Sequence, residues 1–295
     1  MGGGSWTTKA YASYTTSTRG VTLDSFTTAD YSAQEVYKSR KLSDVLNPKN
    51  ITRLCRDSEE HPYTLPVILA LDVTGSMGGA SVKVAQKLNE IMTTLYADDI
   101  IRDIEFCIMG IGDLAYDWAP IQMSQFESDV RIAEQLDQIY FEAGGGGNHY
   151  ESYSAAWYMG ARHCDLDCWK RGKKGIIITM GDELPNPYLP SGKLNQHTGD
   201  KTQADVESAI LLEEAKEKFD IFHIAVDDRE TSYEHYKYFH IDEEWQKMLG
   251  EDHYFVANLN QLANTIVNII KSCNNSEIIF STPNITTNEN EEVTW

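Results

Sequence analysis

The chain of 295 residues is poor in basic side chains, with 25 Lys and Arg against 45 Asp and Glu and a formal net charge of -20. This balance repels phosphate backbones at long range, so we expect no nucleic-acid partner. The acidity is expected instead to attract divalent cations and basic protein surfaces, although solubility is its commonest cause.

Long apolar runs are also missing, because none approaches the ~18 residues that a membrane-spanning helix needs. The N-terminus lacks a charged segment followed by an apolar one, so we expect neither a membrane partner nor export by a signal peptide. The cysteines number five and lack the spacing of a disulfide scaffold. Free thiols in a reducing cytoplasm are the expected consequence.

The two ends of the chain differ in composition from its middle. Residues 1–45 are rich in Ser, Thr, Gly and Tyr, and they predict an irregular arm with one short helix over 33–45. Residues 46–273 predict one large α/β domain. Residues 274–295 are dominated by Asn, Thr and Glu and predict a flexible tail, in which the apolar triplet 278–280 is either incidental or a docking strand.

Apolar strands alternate with amphipathic helices through the central region. The pattern predicts strands at 65–72, 104–110, 173–183, 220–226 and 253–257. It predicts one helix that begins near residue 80, and four further helices over 130–139, 151–163, 204–219 and 259–270. Because the strands are continuously apolar, we expect a doubly wound, mostly parallel sheet with helices on both faces.

The most informative motif follows the first of these strands. There the chain places Asp72, then Thr74 and Ser76 at two-residue intervals, before a glycine. One carboxylate and two hydroxyls on a tight turn can point at the same place above the end of the strand. Ligation by oxygen alone suits hard cations such as Mg2+, Mn2+ or Ca2+ rather than Zn2+. The alternative is a Ser/Thr turn that caps the next helix.

A second acid-ending strand supports the metal interpretation. The run 173–183 passes from apolar residues into Asp182, and a loop of four glycines at 144–147 lies between the two strands. Ligands of parallel sheets gather at the carboxyl ends of the strands, so we expect these three loops to converge on one ion. Asp113 and Asp117, after the strand at 104–110, are candidates for the outer part of this site, with ordinary turn acids as the alternative.

At these motifs the chain resembles the von Willebrand factor A (vWA) domain family. The metal-ion-dependent adhesion site (MIDAS) of that family takes D-x-[ST]-x-S from one loop, a Thr from a second loop and an Asp from a third. Asp72, Thr74 and Ser76 match the first element, and Asp182 matches the third. The resemblance extends over residues 67–273 and implies a Rossmann-like fold, a prokaryotic or phage-type intracellular member, and Mg2+ as the ion.

The second element of the family pattern is absent, because no Thr follows the glycines. Asn148 or Glu151 would have to take its place. The resemblance implies that a Glu or Asp of a partner protein completes the ligand set of the ion. It therefore implies a metal-dependent interaction module rather than an enzyme, and, by analogy, an adaptor for an AAA+ ATPase of the MoxR type.

Two other functions stay open at this point. A metal-assisted hydrolase would use an ion-activated water with Glu183, Glu151 or His149 as general base. Against it, the sequence has no G-x-S-x-G motif and no evident pairing of nucleophile and base. An extracellular adhesion protein is the third alternative, which the expected lack of an export signal disfavours.

A Tyr- and His-rich segment over 231–240 follows the strand at 220–226. Loops after parallel strands lie at the ligand-binding edge of the sheet, so this segment is expected to be a lid or a recognition insert. Local aromatic packing is the alternative.

Overall fold

The computed structural model describes residues 4–97, 101, 103–142, 149–226 and 237–279. The chain begins with three short helices, α1 (Thr8–Tyr14), α2 (Leu23–Thr28) and α3 (Ala33–Val36), and a π-helical turn, Thr15–Arg19, follows α1. The remaining helices are α4 (Gly78–Tyr96), α5 (Arg131–Leu136), α6 (Ser154–His163), α7 (Asp167–Lys170), α8 (Ser191–Thr198), α9 (Ser208–Lys216), α10 (Ile241–Leu249) and α11 (Leu262–Ile279).

The strands form one large sheet and three small pairs. They are β1 (Arg53–Cys55), β2 (Leu65–Asp72), β3 (Ile104–Ile111), β4 (Ile121–Met123), β5 (Tyr150–Glu151), β6 (Cys164–Leu166), β7 (Gly175–Gly181), β8 (Leu184–Pro185), β9 (Tyr188–Leu189), β10 (Val206–Glu207), β11 (Phe219–Val226) and β12 (Tyr254–Ala257). The large sheet has the order β12-β11-β7-β2-β3-β4, and all its neighbours are parallel except β3 and β4. The small pairs are β1 with β6, β5 with β8, and β9 with β10.

Helices cover both faces of the large sheet. Val67, Leu69 and Leu71 of β2 point into a core that α4 and α11 share, whereas Ile68 and Ala70 point into a core that α6 and α9 share. Almost every residue of β2 and β7 is therefore buried, which explains why both strands are continuously apolar instead of alternating. The predicted α/β class, with a doubly wound and mostly parallel sheet, is confirmed.

The N-terminal segment differs from the irregular arm that its composition predicted. Its helices pack on the outer side of α4, and Tyr11, Phe26 and Tyr37 are buried there. The hydroxyl of Tyr11 donates to the carbonyl of Ala85 on α4 at 2.9 Å. Widely spaced aromatic side chains, rather than periodic aliphatic ones, anchor this segment, which is why a search for aliphatic periodicity overlooks it. The helix expected over 33–45 is limited to α3.

The C-terminal part also differs from the expectation. Helix α11 continues to Ile279, so it crosses the predicted boundary at residue 273 and includes part of the predicted tail. Residues 280–295, with the end of the apolar triplet, lie outside the described residues. No helix in the described part of the chain has both the length and the hydrophobicity that crossing a membrane requires. All five cysteines are free thiols.

Candidate metal centre

Two acids meet at one edge of the large sheet. Asp72 is the last residue of β2, and Asp182 directly follows β7. These strands are parallel neighbours, with Leu71 of β2 opposite Met180 of β7. The two carboxylates therefore lie beyond the same edge, where helix α4 also begins after a short turn. The expected convergence of these two loops is thus present in the fold.

The carboxylate of Asp72 is fixed by three donors. Its Oδ1 accepts the backbone N–H of Thr74 at 2.8 Å and the Thr74 hydroxyl at 2.5 Å. Its Oδ2 accepts the hydroxyl of Tyr153 at 2.7 Å. The side chain is buried, with 1% of its residue surface exposed. The Asp72 and Thr74 pair thus forms an Asx turn that holds the loop rigid.

The two hydroxyls of the motif differ in environment. Thr74 is buried, whereas Ser76 is exposed, so the loop leads from a closed interior to solvent. Because the Thr74 hydroxyl gives its proton to Asp72, its lone pairs stay available to a cation. The loop therefore places oxygen acceptors between Asp72 and the surface.

The electrostatics of this edge are unbalanced. Burial first, and then the charge of Asp182, raise the pKa of Asp72 to about 7. Burial, followed by the charges of Asp72, Asp117, Asp113 and Asp182, raises the pKa of Glu151 to about 10. Among the described residues, the charged groups that act most strongly on these two acids are all carboxylates. A bound divalent cation would supply the missing counter-charge and reverse this repulsion.

Glu151, one of the two proposed replacements for the family Thr, lies within the described residues. It lies on β5, which pairs with β8 just after Asp182, and only 4% of its surface is exposed. Within the described residues, its buried Oε2 accepts no hydrogen bond. A buried carboxylate oxygen without a donor is a group that a hard cation satisfies. Asn148 and the glycine loop lie outside the described residues.

The donor set fits a hard cation only when hydroxyls are counted. In the described ranges, no three His, Cys, Asp or Glu side chains are grouped as a metal site would group them. A cation at this edge would therefore need the hydroxyls of Thr74 and Ser76 beside the carboxylates. Such a set of oxygens suits Mg2+, Mn2+ or Ca2+.

Asp113 and Asp117 shape the loop after β3. The carboxylate of Asp117 accepts the backbone N–H of Asp113 at 2.7 Å, and the carboxylate of Asp113 accepts the N–H of Ala115 at 2.7 Å. Burial raises the pKa of Asp117. Both charges act on Glu151, so these acids contribute to the negative potential of the site while they fold their own loop.

His149 and Glu183, two of the possible general bases, lie beside each other. The Nδ1 of His149 is 3.9 Å from a carboxylate oxygen of Glu183, and its ring stacks on Phe239 with centroids 4.4 Å apart. Phe239 belongs to the Tyr- and His-rich segment, so the described end of that segment does reach the metal edge. Residues 231–236 of the segment lie outside the described residues.

Sequence reasoning missed Tyr153, which contacts Asp72 from the start of α6. The two residues are 81 positions apart, and no local pattern marks a tyrosine as the partner of a distant aspartate. Burial and the neighbouring carboxylates raise the pKa of Tyr153 well above its usual value, so its hydroxyl stays protonated as a donor.

Comparisons with known proteins give no family. No family model and no curated protein sequence matches the chain. Among solved structures, the pilus adhesin SpaC from Lactobacillus rhamnosus GG, in its open conformation, shares 14% identity with a TM-score of 0.49 over 77% of this chain and 31% of that chain. Proximal thread matrix protein 1 from the mussel byssus shares 10% identity with a TM-score of 0.46, over 76% of this chain and 49% of that chain.

A further structure of the mussel protein has a zinc-occupied MIDAS motif. It shares 11% identity with a TM-score of 0.43, over 76% of this chain and 48% of that chain. This chain spans less than half the length of each of these proteins. At such identities and scores, the likenesses support no conclusion about the ligands or partners of this chain.

Proposed function

We propose that this chain is a vWA-type interaction module of the cytoplasm that binds a protein partner through a divalent cation, Mg2+ above all. The observation that carries the proposal is the pair of acids on adjacent parallel strands, Asp72 and Asp182, with the hydroxyls of Thr74 and Ser76 beside them. Burial and the charge of Asp182 make an ionised Asp72 unfavourable without a cation.

The residues would divide the work as follows. Thr74 and Ser76 would bind the cation directly, Asp72 would act directly or through water, and Asp182 would face them from the next strand. Glu151 would take the place of the family Thr. When bound, the cation supplies a positive charge that attracts a Glu or Asp of the partner. A ligating Glu151 would reduce that charge and weaken the attraction.

The partner is proposed by analogy as an AAA+ ATPase of the MoxR type, and the module is proposed to bind rather than to catalyse. In the described part of the chain, Ser128, His61 and Asp103 form a Ser–His–Asp arrangement, but it lies at the end of the strands opposite to Asp72. Its serine and histidine are buried, and the Ser128 hydroxyl donates to the carbonyl of Gly4 at 2.5 Å instead of to His61. This serine is therefore not poised as a nucleophile.

The test is a pull-down from the native host with the wild-type chain and the Asp72→Ala variant. We expect a captured protein that EDTA releases, that Mg2+ restores, and that Asp72→Ala fails to retain. A screen of phosphatase, esterase and peptidase substrates with Mg2+, Mn2+ and Ca2+ on the same preparation is expected to show no turnover.

The opposite result would favour the hydrolase. Metal-dependent turnover that Asp72→Ala abolishes, without a metal-dependent partner, would replace the binding proposal, and Glu183, Glu151 and His149 would then be tested as bases. A partner exposed on a cell surface would favour the adhesion alternative.

A further inference from the structure

Tyr153 joins the two acid-ending loops of the candidate metal centre. Its hydroxyl donates to Oδ2 of Asp72 at 2.7 Å, and the same oxygen accepts the backbone N–H of Glu183 at 3.4 Å. Glu183 directly follows Asp182. One phenol oxygen therefore connects the end of β2 to the chain immediately after β7.

The chain leaves room for this ring at Gly181. A Cβ at this position would lie 1.8 Å from the Tyr153 hydroxyl oxygen and 2.3 Å from Cζ. Both distances are far shorter than a van der Waals contact, so any side chain at residue 181 would displace the Tyr153 ring. The ring can therefore reach Asp72 because residue 181 is a glycine.

Aromatic rings hold Tyr153 from the other side. Its ring lies 5.2 Å from that of His223 and 5.7 Å from that of Trp245, and the last two stack on each other at 3.7 Å. The indole N–H of Trp245 also donates to the carbonyl of Glu183 at 3.0 Å. The position of the phenol oxygen is therefore determined by packing, before any ligand arrives.

We propose that Tyr153 is a positioning residue for the cation: it orients Asp72 and fixes the spacing between the loops of Asp72 and Asp182. The proposal rests on the metal-binding function proposed above. Its physical basis is that a ligand's hydrogen-bonding partner sets the direction of the ligand's oxygen atoms. Without the phenol, Oδ2 of Asp72 loses this donor, and the backbone N–H of Glu183 loses its link through the phenol to Asp72.

The experiment compares two conservative variants on the same helix. Tyr153→Phe removes the hydroxyl that contacts Asp72. Tyr158→Phe removes the hydroxyl of another buried tyrosine of α6, which donates to Asp200 instead. The affinity for Mn2+ is measured by calorimetric titration, and melting in EDTA and near-ultraviolet circular dichroism report on the fold without metal.

We expect Tyr153→Phe to bind Mn2+ about 10- to 100-fold more weakly than the wild type, the range typical for the loss of such an outer contact. Tyr158→Phe is expected to bind Mn2+ as the wild type does, even if it melts at a lower temperature. Equal affinity in Tyr153→Phe and the wild type would overturn the proposal, and so would an equal loss in both variants. A wild-type chain without Mn2+ affinity would overturn the metal-binding function itself, which is a distinguishable result.

A second measurement uses the unmodified chain, in case Tyr153→Phe fails to fold. Tyrosine labelled with 13C at Cζ is observed by NMR during a Mg2+ titration that calorimetry shows to reach saturation. We expect Mg2+ to shift at least one tyrosine Cζ resonance, because the ion changes the charge that the phenol oxygen of Tyr153 contacts. Saturation without any shift would contradict the positioning role.

Discussion

Acids lie in opposite surroundings in two regions of this molecule, the contact of the N-terminal segment with the end of α5 and the metal edge of the sheet. Where the N-terminal segment meets the end of α5, the carboxylate of Asp137 accepts two hydrogen bonds from the Arg19 guanidinium, at 3.0 and 2.5 Å, and one from the hydroxyl of Tyr14 at 2.8 Å. At the metal edge, Asp72 accepts its hydrogen bonds from hydroxyls and one backbone N–H, and its strongest charged neighbour is Asp182.

The difference shows what each region is suited to do. The Arg19 side chain is 7% exposed and lies 3.9 Å from the centre of the Phe26 ring, so this ion pair is complete within the chain. An ion pair whose two charges both belong to the chain needs no ligand, and it stabilises the folded state. At the metal edge, the charges of neighbouring carboxylates raise the pKa of Asp72 and of Glu151, and a divalent cation would offset this repulsion.

The largest effect is expected when the complete pair is broken. Arg19→Ala leaves the Asp137 carboxylate buried without its cation, and the free energy of unfolding is expected to fall by about 3 to 5 kcal/mol. The matched control is Arg162→Ala, because Arg162 also binds one carboxylate, that of Glu214, through two nitrogens, but in a more exposed pair. That loss is expected to be about 0 to 1 kcal/mol in urea unfolding. Equal losses in the two variants would show that the pair of Arg19 is not special.

A smaller effect of the opposite sign is expected at the metal edge. Asp72→Asn keeps the shape of the side chain and removes its charge, so near pH 8 and in EDTA the chain is expected to gain about 1 to 2 kcal/mol of stability. Mg2+ at ~100 times its dissociation constant should stabilise the wild type by about 2.7 kcal/mol and leave the variant unchanged. Thermal melting measures both effects.

The control for this charge change is Asp30→Asn, at an exposed aspartate of the N-terminal segment. It is expected to keep the full response to Mg2+. If Asp72→Asn also kept the full response, the assignment of the site would be wrong.

The smallest effect concerns Glu105, an acid near the start of β3 and away from the metal edge. Burial raises its pKa from 4.5 to about 7. The folded chain therefore holds this proton more tightly than the unfolded chain, so stability decreases as the pH rises from 4.5 to about 7 and is constant above that range. In Glu105→Gln, the fall in unfolding free energy over this pH range is expected to be smaller by about 1 to 2 kcal/mol. A shift of 1 pKa unit corresponds to ~1.4 kcal/mol, and solvent screening reduces the total.

Urea unfolding near pH 5 and near pH 8 measures the Glu105 effect, with Glu90→Gln as an exposed control. An unchanged pH dependence in Glu105→Gln would show that burial alone does not penalise this acid. In that case the argument from burial at Asp72 would weaken as well.

The sequence predicted the sheet better than the rest of the fold. The strand predicted at 65–72 is β2 without a change of bounds, and those predicted at 104–110 and 220–226 differ from β3 and β11 by one residue. These strands are central, and burial on both faces requires a continuous apolar run, which is the strongest signal available. The short strands β1, β4, β5, β6, β8, β9 and β10 have two or three residues each, too few for any periodicity to appear.

The candidate site was predicted where its residues are close in sequence. Asp72 and Thr74 are two positions apart, and the turn that joins them has a local signature. Tyr153 and Gly181 depend on each other across 28 positions and on Asp72 across the sheet, so each looks ordinary in its own segment. Such mutual dependence of distant residues becomes visible only when the fold brings them together.

The N-terminal segment also determines an order of events during synthesis. Tyr11 contacts a residue 74 positions later in the chain, and Tyr37 contacts one 44 positions later, both on α4. The segment precedes α4 in the chain, so the helix that it covers is synthesised after it. Its buried aromatic side chains can therefore dock on α4 only after that helix has been synthesised.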